Sequence, residues 1–477
     1  MRGMLPLIAF LLLSLTPQDE LQRIDAEGLE ETVKFLASDE LLGRSTGTSE
    51  NELAARHLAK RFEELGLEPA VGESYLHPVP LRRVGEERAA ELDVYISVED
   101  FGTHAAGVWF DPIGAATSTE KLSVLTVEGI EDIPLEADAD VALFLSGSSR
   151  QGRKWLTERG HEGGAGWGAI ISRGSKRNGR AWVKRDPRLV LVSPEEPSEE
   201  SSTPWMRVHG ETRTAFEDGR VQFIQLRTYP IEEEVSAHNV AGLIRGVGTK
   251  ERPELAEEVV VLTAHYDHIG VLKPRKAESE TDEEEVDLIR NGADDDASGV
   301  ACVVELAEAF AGGSPPARTL LFLLVTGEEI GLLGTKHYLD APLFPLEKTS
   351  CNLNYEMIGR ADELAGGAGR LWLSGHERSN LMGAIEREGI SISPDLRPEQ
   401  NFFERSDNYA FAVRGIVAQT FSTYNMHQDY HQVTDEWDTL DYDHMEVASR
   451  EAYRIARLIA DGEIDPAWLE GGKPRGR

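Results

Sequence analysis

The stretch VVVLTAHYDHIG, residues 259–270, decides the fold. Its apolar start is strand-like, and a second strand-like run, NVAGLIRGV (239–247), precedes it. Downstream come helix-like DASGVACVVELAEAF (296–310), strand-like TLLFLLVT (319–326) and helix-like LLGTKHYL (332–339). Strand and helix in alternation predict an α/β fold with a doubly wound, mostly parallel mixed sheet flanked by helices. In open sheets of this kind ligands and catalytic groups gather where strands end at their carboxyl side. His265 and Asp267 stand at such an end, directly after the apolar run.

Working outward, residues 24–67 carry apolar side chains at helical spacing and read as two amphipathic helices. Between them LLGRSTGTSEN (41–51) has Gly43, Ser45, Gly47 and Thr48, which suit a tight loop and a helix start. From Arg88 to Thr228 the texture changes to short β-like runs, among them LDVYISV, VALFLSG, GAIISRG and LVLVSPEE. The chain therefore divides into residues 1–17 as a signal peptide or N-terminal anchor, 21–87 as the first part of the main domain, and 88–228 as a β-rich insertion. Residues 229–465 complete the main domain, and 466–477 form a flexible tail. The acidic stretch AESETDEEEVD (277–287) reads as a solvated loop.

With 84 acidic and 49 basic side chains, the formal charge of -35 repels phosphate backbones and anionic membrane surfaces, so no nucleic-acid partner is expected. Arg2 followed by the apolar run Met4–Leu15 has the layout of an export signal, which implies a secreted, periplasmic or cell-envelope protein with no membrane contact beyond that segment. Cys302 and Cys351 are the only cysteines, and both read as buried free thiols rather than a disulfide scaffold.

Four further segments carry titratable groups. NGADDDASGV (291–300) crowds three carboxylates, including Asp295, onto a turn at a helix start, where they need a cation or strong hydrogen bonds; N-capping by Asp296 accounts for one of them. GEEIGLLG (327–334) follows a strand and offers Glu328 and Glu329, of which one can bind a cation while its neighbour acts as a general base. CNLNYEMIGR (351–360) sets Glu356 in an apolar run, and DYHQVTDEWDTLDY (429–442) holds Tyr430 and His431 among acids. Taken in order, these are nitrogen and oxygen donors suited to zinc, with one carboxylate able to bridge two ions ~3.5–4 Å apart.

The pieces HYDHIG, NGADDDASGVA, TGEEIGLLGT, NYEMIGR and DYHQVTDEWDTLD, with LASDELLGRSTGTSENELAARHLAKRFEELGL before them, resemble in order and spacing the co-catalytic zinc aminopeptidase family that includes bacterial leucyl aminopeptidases and glutamate carboxypeptidase II. The resemblance spans about residues 21–84 and 236–462, and it makes the β-rich insertion comparable to a divergent protease-associated domain. It implies two Zn2+ ions: His265 and Glu356 on one, Glu329 and His431 on the other, Asp295 bridging. It further implies Glu328 as general base, Asp267 as the group orienting His265, Tyr430 as a polariser of the scissile carbonyl, and Ser406–Asp407 as a site-shaping pair. The implied substrate is a peptide, cleaved at its N-terminus. Glu356 departs from the family's usual aspartate, and its extra methylene moves the carboxylate out by about one C–C bond, which can loosen one site until a single zinc binds tightly. On the same fold the alternatives are glutaminyl cyclisation, removal of C-terminal acidic residues, and a binding protein without catalysis; the retained donors argue against the last.

Overall fold

A computed structural model describes residues 20–86, 91–95, 101–103, 109–111, 122–147, 149–161, 166–173, 188–192, 205–208, 210–227, 230–272 and 287–475. The leader read at 1–17 and the acidic run 277–286 lie outside them. They form two compact units, one from residues up to Val79 together with Ser236 onward, the other Pro80–Val235.

The first unit is built on a nine-stranded mixed sheet. Its central strands are β1 (His238–Ile244), β2 (Val259–His265), β3 (Thr319–Val325), β4 (Thr349–Tyr355) and β5 (Val417–Ser422), arranged β1-β3-β2-β4-β5. β3, β2, β4 and β5 run parallel, and β1 is antiparallel to β3. Both faces are covered, which is why β2 and β3 are buried at every position and lack alternation. Val260, Leu262 and Ala264 pack into one apolar cluster with helices α1 (Ala26–Leu36), α2 (Ser49–Glu64), α3 (Gly299–Ala311) and α7 (Tyr442–Ala460). Val259 and Val261 point the other way, into a cluster with α4 (Leu333–Asp340) and α6 (Asp407–Val413); α5 spans Leu381–Arg387. Among the described residues no helix is long and apolar enough to cross a membrane.

Helix starts follow local chemistry. Asp25 accepts from the Gly28 N–H at 2.9 Å to cap α1, and Thr48 accepts from Asn51 N–H at 3.2 Å to cap α2. Cys302 and Cys351 are free and buried. Residues 466–475, expected to trail as a flexible tail, are instead pinned: Trp468 donates its indole N–H to Gly415 O at 3.0 Å, and Leu469 N–H bonds Arg378 O at 2.8 Å.

The second unit has an eight-stranded sheet, with Leu122–Val127, Val141–Leu145, Ala169–Arg173 and Trp205–Val208 parallel at its centre. It begins and ends on paired strands: Leu81–Glu86 lies antiparallel to Pro230–Val235 with Leu81 opposite Val235. This pairing sets the boundary outside 88–228. The two segments are rich in charge and fall in the main domain on the sequence reading, yet their charges face across the pair, with Arg83 2.7 Å from Glu233.

One carboxylate in the first unit's core is out of balance. Glu305 on α3 is buried and accepts the Asp25 N–H at 3.3 Å, and burial pushes its pKa from 4.5 to about 8. The folded chain thus holds a proton between those pH values that the unfolded chain has lost, and stability falls as pH rises through that window. Glu305→Gln is expected to match wild type in the unfolding free energy from urea titration near pH 4.5 and to exceed it at pH 8 by ~4 kcal/mol. An equal gap at both pH values would contradict the assignment.

Candidate metal centre

The parallel strands deliver their functional groups to one edge. His265 is the last residue of β2, Glu328 and Glu329 follow β3, Glu356 follows β4, and Asp295 lies in the turn that leads into α3. Asp295 is buried, and its two oxygens face different histidines: Oδ1 is 3.2 Å from His265 Nε2, and Oδ2 is 2.9 Å from His431 Nε2. His431 Nε2 is also 3.3 Å from Glu329 Oε2, and Glu328 Oε2 lies 4.0 Å from His265 Nε2. Glu356 lines the same cavity as Asp295, Glu328 and Glu329, and Asn354 donates to its Oε2 at 3.3 Å. Tyr430 lines that cavity too, its ring stacked on His431 with centroids 3.9 Å apart. The structure therefore brings His265, Asp295, Glu328, Glu329, Glu356, Tyr430 and His431 to one edge of the sheet.

Asp267 differs in detail. Its backbone carbonyl, 3.2 Å from His265 Nδ1, is the nearer partner, while its carboxylate Oδ1 stands 3.7 Å away. That carboxylate instead accepts from Thr46 Oγ1 at 2.8 Å and from the Glu328 N–H at 3.2 Å. It thus ties the His265 loop to the Glu328 turn, and orients His265 mainly through the main chain. Asp296 does the capping, accepting N–H bonds from Gly299, Met357 and His265 at 3.1, 3.0 and 3.2 Å. The Asp295–Asp296 peptide bond is cis.

Three supporting groups were not apparent in the sequence. His268, one residue past Asp267, is fully buried with Nδ1 2.8 Å from Glu329 Oε1. Asp435, four residues after His431 in the chain, accepts N–H bonds from Asp294 and Asp295 at 3.1–3.2 Å, fixing the backbone that carries the bridging carboxylate. Arg44, from the loop read as a connector, is buried and donates to Tyr266 O at 2.7 Å, Leu36 O at 3.0 Å, Gly292 O at 2.6 Å and also to Asn291 O. Its loop reaches these partners because Leu42, Gly43 and Arg44 are all left-handed, and a Cβ on Gly43 would stand 2.4 Å from Arg290 O. The signal for Arg44 is a lone arginine in a turn, whose carbonyl partners have no sequence signature.

Electrostatics follow from burial and proximity. Burial, reinforced by Glu356, Asp407 and Glu329, lifts Glu328 well above the ordinary carboxylate range against the pull of His265. Glu356 is pushed to about 7, mainly by burial. Burial pushes Asp295 upward, but the His265 and His431 imidazoles standing against its two oxygens outweigh this and hold it well below its usual value. His265 Nε2, both nitrogens of His268, Glu329 Oε1 and His431 Nε2 are buried with no hydrogen-bond partner. Native proteins rarely leave such atoms unpaired. They converge with carboxylate oxygens around Asp295, and His268, Asp295 and Glu329 alone put donor atoms within 4.8 Å of one another. Imidazole and carboxylate donors of this kind fit zinc.

A doubly wound α/β domain with a histidine–carboxylate metal cluster and an adjoining glutamate at its strand ends defines a metallohydrolase class of site. Residues 239–456 match the sequence profile of Peptidase family M28. It is 23% identical over 178 residues to Aminopeptidase YwaD of Bacillus subtilis (strain 168), an overlap of 37% of this chain and 33% of that protein, so the alignment spans about a third of the relative's length. Among solved structures, the aminopeptidase from Aneurinibacillus sp. strain AM-1 superposes with a TM-score of 0.52 at 16% identity, over 93% of this chain and 96% of that one. BSAP, a zinc aminopeptidase from Bacillus subtilis, gives 0.47 at 17% identity, over 92% and 97%.

The Arg44 clamp generates a test. Lysine retains the charge but replaces the planar five-donor fork with three donors on one nitrogen, which cannot reach all four carbonyls. Arg44→Lys is expected to cost about 3 kcal/mol in urea unfolding, because buried carbonyls lose their donors, and to weaken metal retention on dialysis. A variant equal to wild type in both would show that the loops hold themselves.

Proposed function

We propose that the protein is a zinc-dependent aminopeptidase that releases N-terminal residues from peptides. The observation that carries this reading is Asp295, whose two oxygens face two imidazoles with unpaired Nε2 atoms while Glu328 Oε2 stands 4.0 Å from one of them. His265, Asp295 and Glu356 would hold one zinc, and Asp295, Glu329 and His431 the other. Bound there, zinc supplies Lewis acidity toward a water and toward the scissile carbonyl.

Glu328 is the general base in this reading. Its raised affinity for protons lets it take one from water at a carboxylate oxygen and return it to the leaving amine nitrogen. The adjoining cavity is walled by Trp372, Phe402, Tyr424 and Tyr430. These rings contact one another in sequence, with centroids 5.2–5.8 Å apart, and provide a stiff apolar wall for the side chain of the first residue. The Tyr430 hydroxyl is assigned to the carbonyl oxygen of the scissile bond. The apolar leader supports action in the envelope or outside the cell, and the second unit is assigned as a protease-associated module.

Leucyl anilide hydrolysis by metal-analysed protein tests the reading. Glu328→Gln is expected to retain bound zinc and lose 10²–10⁴-fold in kcat, whereas His265→Ala loses metal as well. Turnover at the wild-type rate in Glu328→Gln removes the base assignment, and equal cleavage of an N-acetylated peptide removes the aminopeptidase assignment.

A further inference from the structure

His268 has no role in the arrangement above, yet its surroundings are those of a donor. The side chain has no solvent exposure, and neither ring nitrogen has a hydrogen-bond partner. Its Nδ1 lies 2.8 Å from Glu329 Oε1 and 3.9 Å from Asp295 Oδ2. Close as it is, the Glu329 contact is not aligned as a hydrogen bond, and Oε1 is itself unpartnered. Two donors that approach without bonding each other are expected when both aim at a common third point. Ligand atoms ~2.0–2.1 Å from a tetrahedral zinc stand ~3.3 Å apart, and the separations among His268, Asp295, Glu329 and His431 run from 2.8 to 3.9 Å.

The backbone and a glycine hold the imidazole in this position. The His268 N–H bonds Arg44 O at 3.4 Å, and Gly292, in a left-handed conformation, packs so closely that a Cβ there would stand 2.5 Å from the ring. The ring also meets His431 edge-on, with centroids 5.5 Å apart at 73°. It cannot swing away from the cluster without displacing the turn that carries Asp295.

We propose that His268 is a metal ligand, so that one ion has four protein donors, His268, Asp295, Glu329 and His431, while the other has only His265, Asp295 and Glu356. The centre is then asymmetric. Four protein donors close a zinc site in the manner of structural sites, and three leave the open position that catalysis uses. The Glu329-side ion is a tightly held anchor, and the His265-side ion exchanges more readily. This assignment rests on the metallopeptidase reading of the site.

The test is titration of the metal-free full chain with Co2+ alone, followed by calorimetry and visible absorption. Wild type is expected to take up two ions, the first at least ~100-fold more tightly than the second. His268→Ala should weaken the tight site by more than 100-fold, beyond the ~10–100-fold cost of losing an outer-shell partner, and should change the cobalt spectrum; the weaker site should stay within about threefold. His268→Asn, which can still donate to Glu329, should not restore affinity, and it decides the matter if His268→Ala fails to fold. Unchanged affinities and spectrum overturn the proposal, as does recovery in His268→Asn. If wild type binds one ion, its loss in the variants supports His268 as a ligand and its retention overturns it. A wild type that binds no cobalt overturns the metallopeptidase reading along with it.

Discussion

Everything around the site depends on one constraint: a group of carboxylates packed into a buried edge of the sheet, where like charges repel and water cannot screen them. Asp295, Glu328, Glu329 and Glu356 line one cavity, and Asp407 lies close behind. Among the described residues no lysine or arginine forms an ion pair with Asp295, Glu328, Glu329 or Glu356. Against them the protein places imidazoles, which are neutral metal donors or cations as the site requires. The cost appears as displaced proton affinities, upward for Glu328, Glu356 and Asp407 and downward for Asp295. Such opposed shifts among neighbours separate an acid–base group from a permanently charged one.

A second layer keeps the arrangement from relaxing. Asp435 grips the amides of Asp294 and Asp295, Asp296 grips three amides from separate segments, and Asp294 accepts from the Gly359 N–H at 2.8 Å and faces His427 Nε2 at 2.9 Å. Under the cavity, Asn354 on β4 bonds Ser406 and Thr420, and Thr420 bonds Asn408, so the sheet and α6 share a buried polar lattice. The three adjacent aspartates of the turn thus do three different jobs, which the repeated letter conceals.

The sheet was legible because β2 and β3 are buried on both faces and so read as unbroken apolar runs. The principal side chains were legible because each follows a strand or opens a helix, and because their order matched a known pattern. What escaped depends on distances between segments remote in sequence. Arg44 binds main-chain oxygens, which every residue has, so nothing marks its partners. His268 sits in the quoted HYDHIG motif but gains meaning only beside Glu329. The limits of the second unit were missed because Leu81–Glu86 and Pro230–Val235 become a strand pair only together. Glu356 departs visibly from the usual aspartate, but nothing in the spacing marks Asn354, two residues earlier, as the donor to its longer carboxylate.

The Arg44 clamp has a consequence for synthesis. Arg44 and Asn291 are 247 residues apart in the chain. At ~5–20 residues per second, the arginine waits roughly 12–50 s after leaving the ribosome before its acceptors exist, and His431 arrives later still. The whole second unit is made in the interval. A nascent chain therefore cannot assemble the cluster piecemeal, and its histidines and carboxylates are brought together only once nearly the entire polypeptide has emerged.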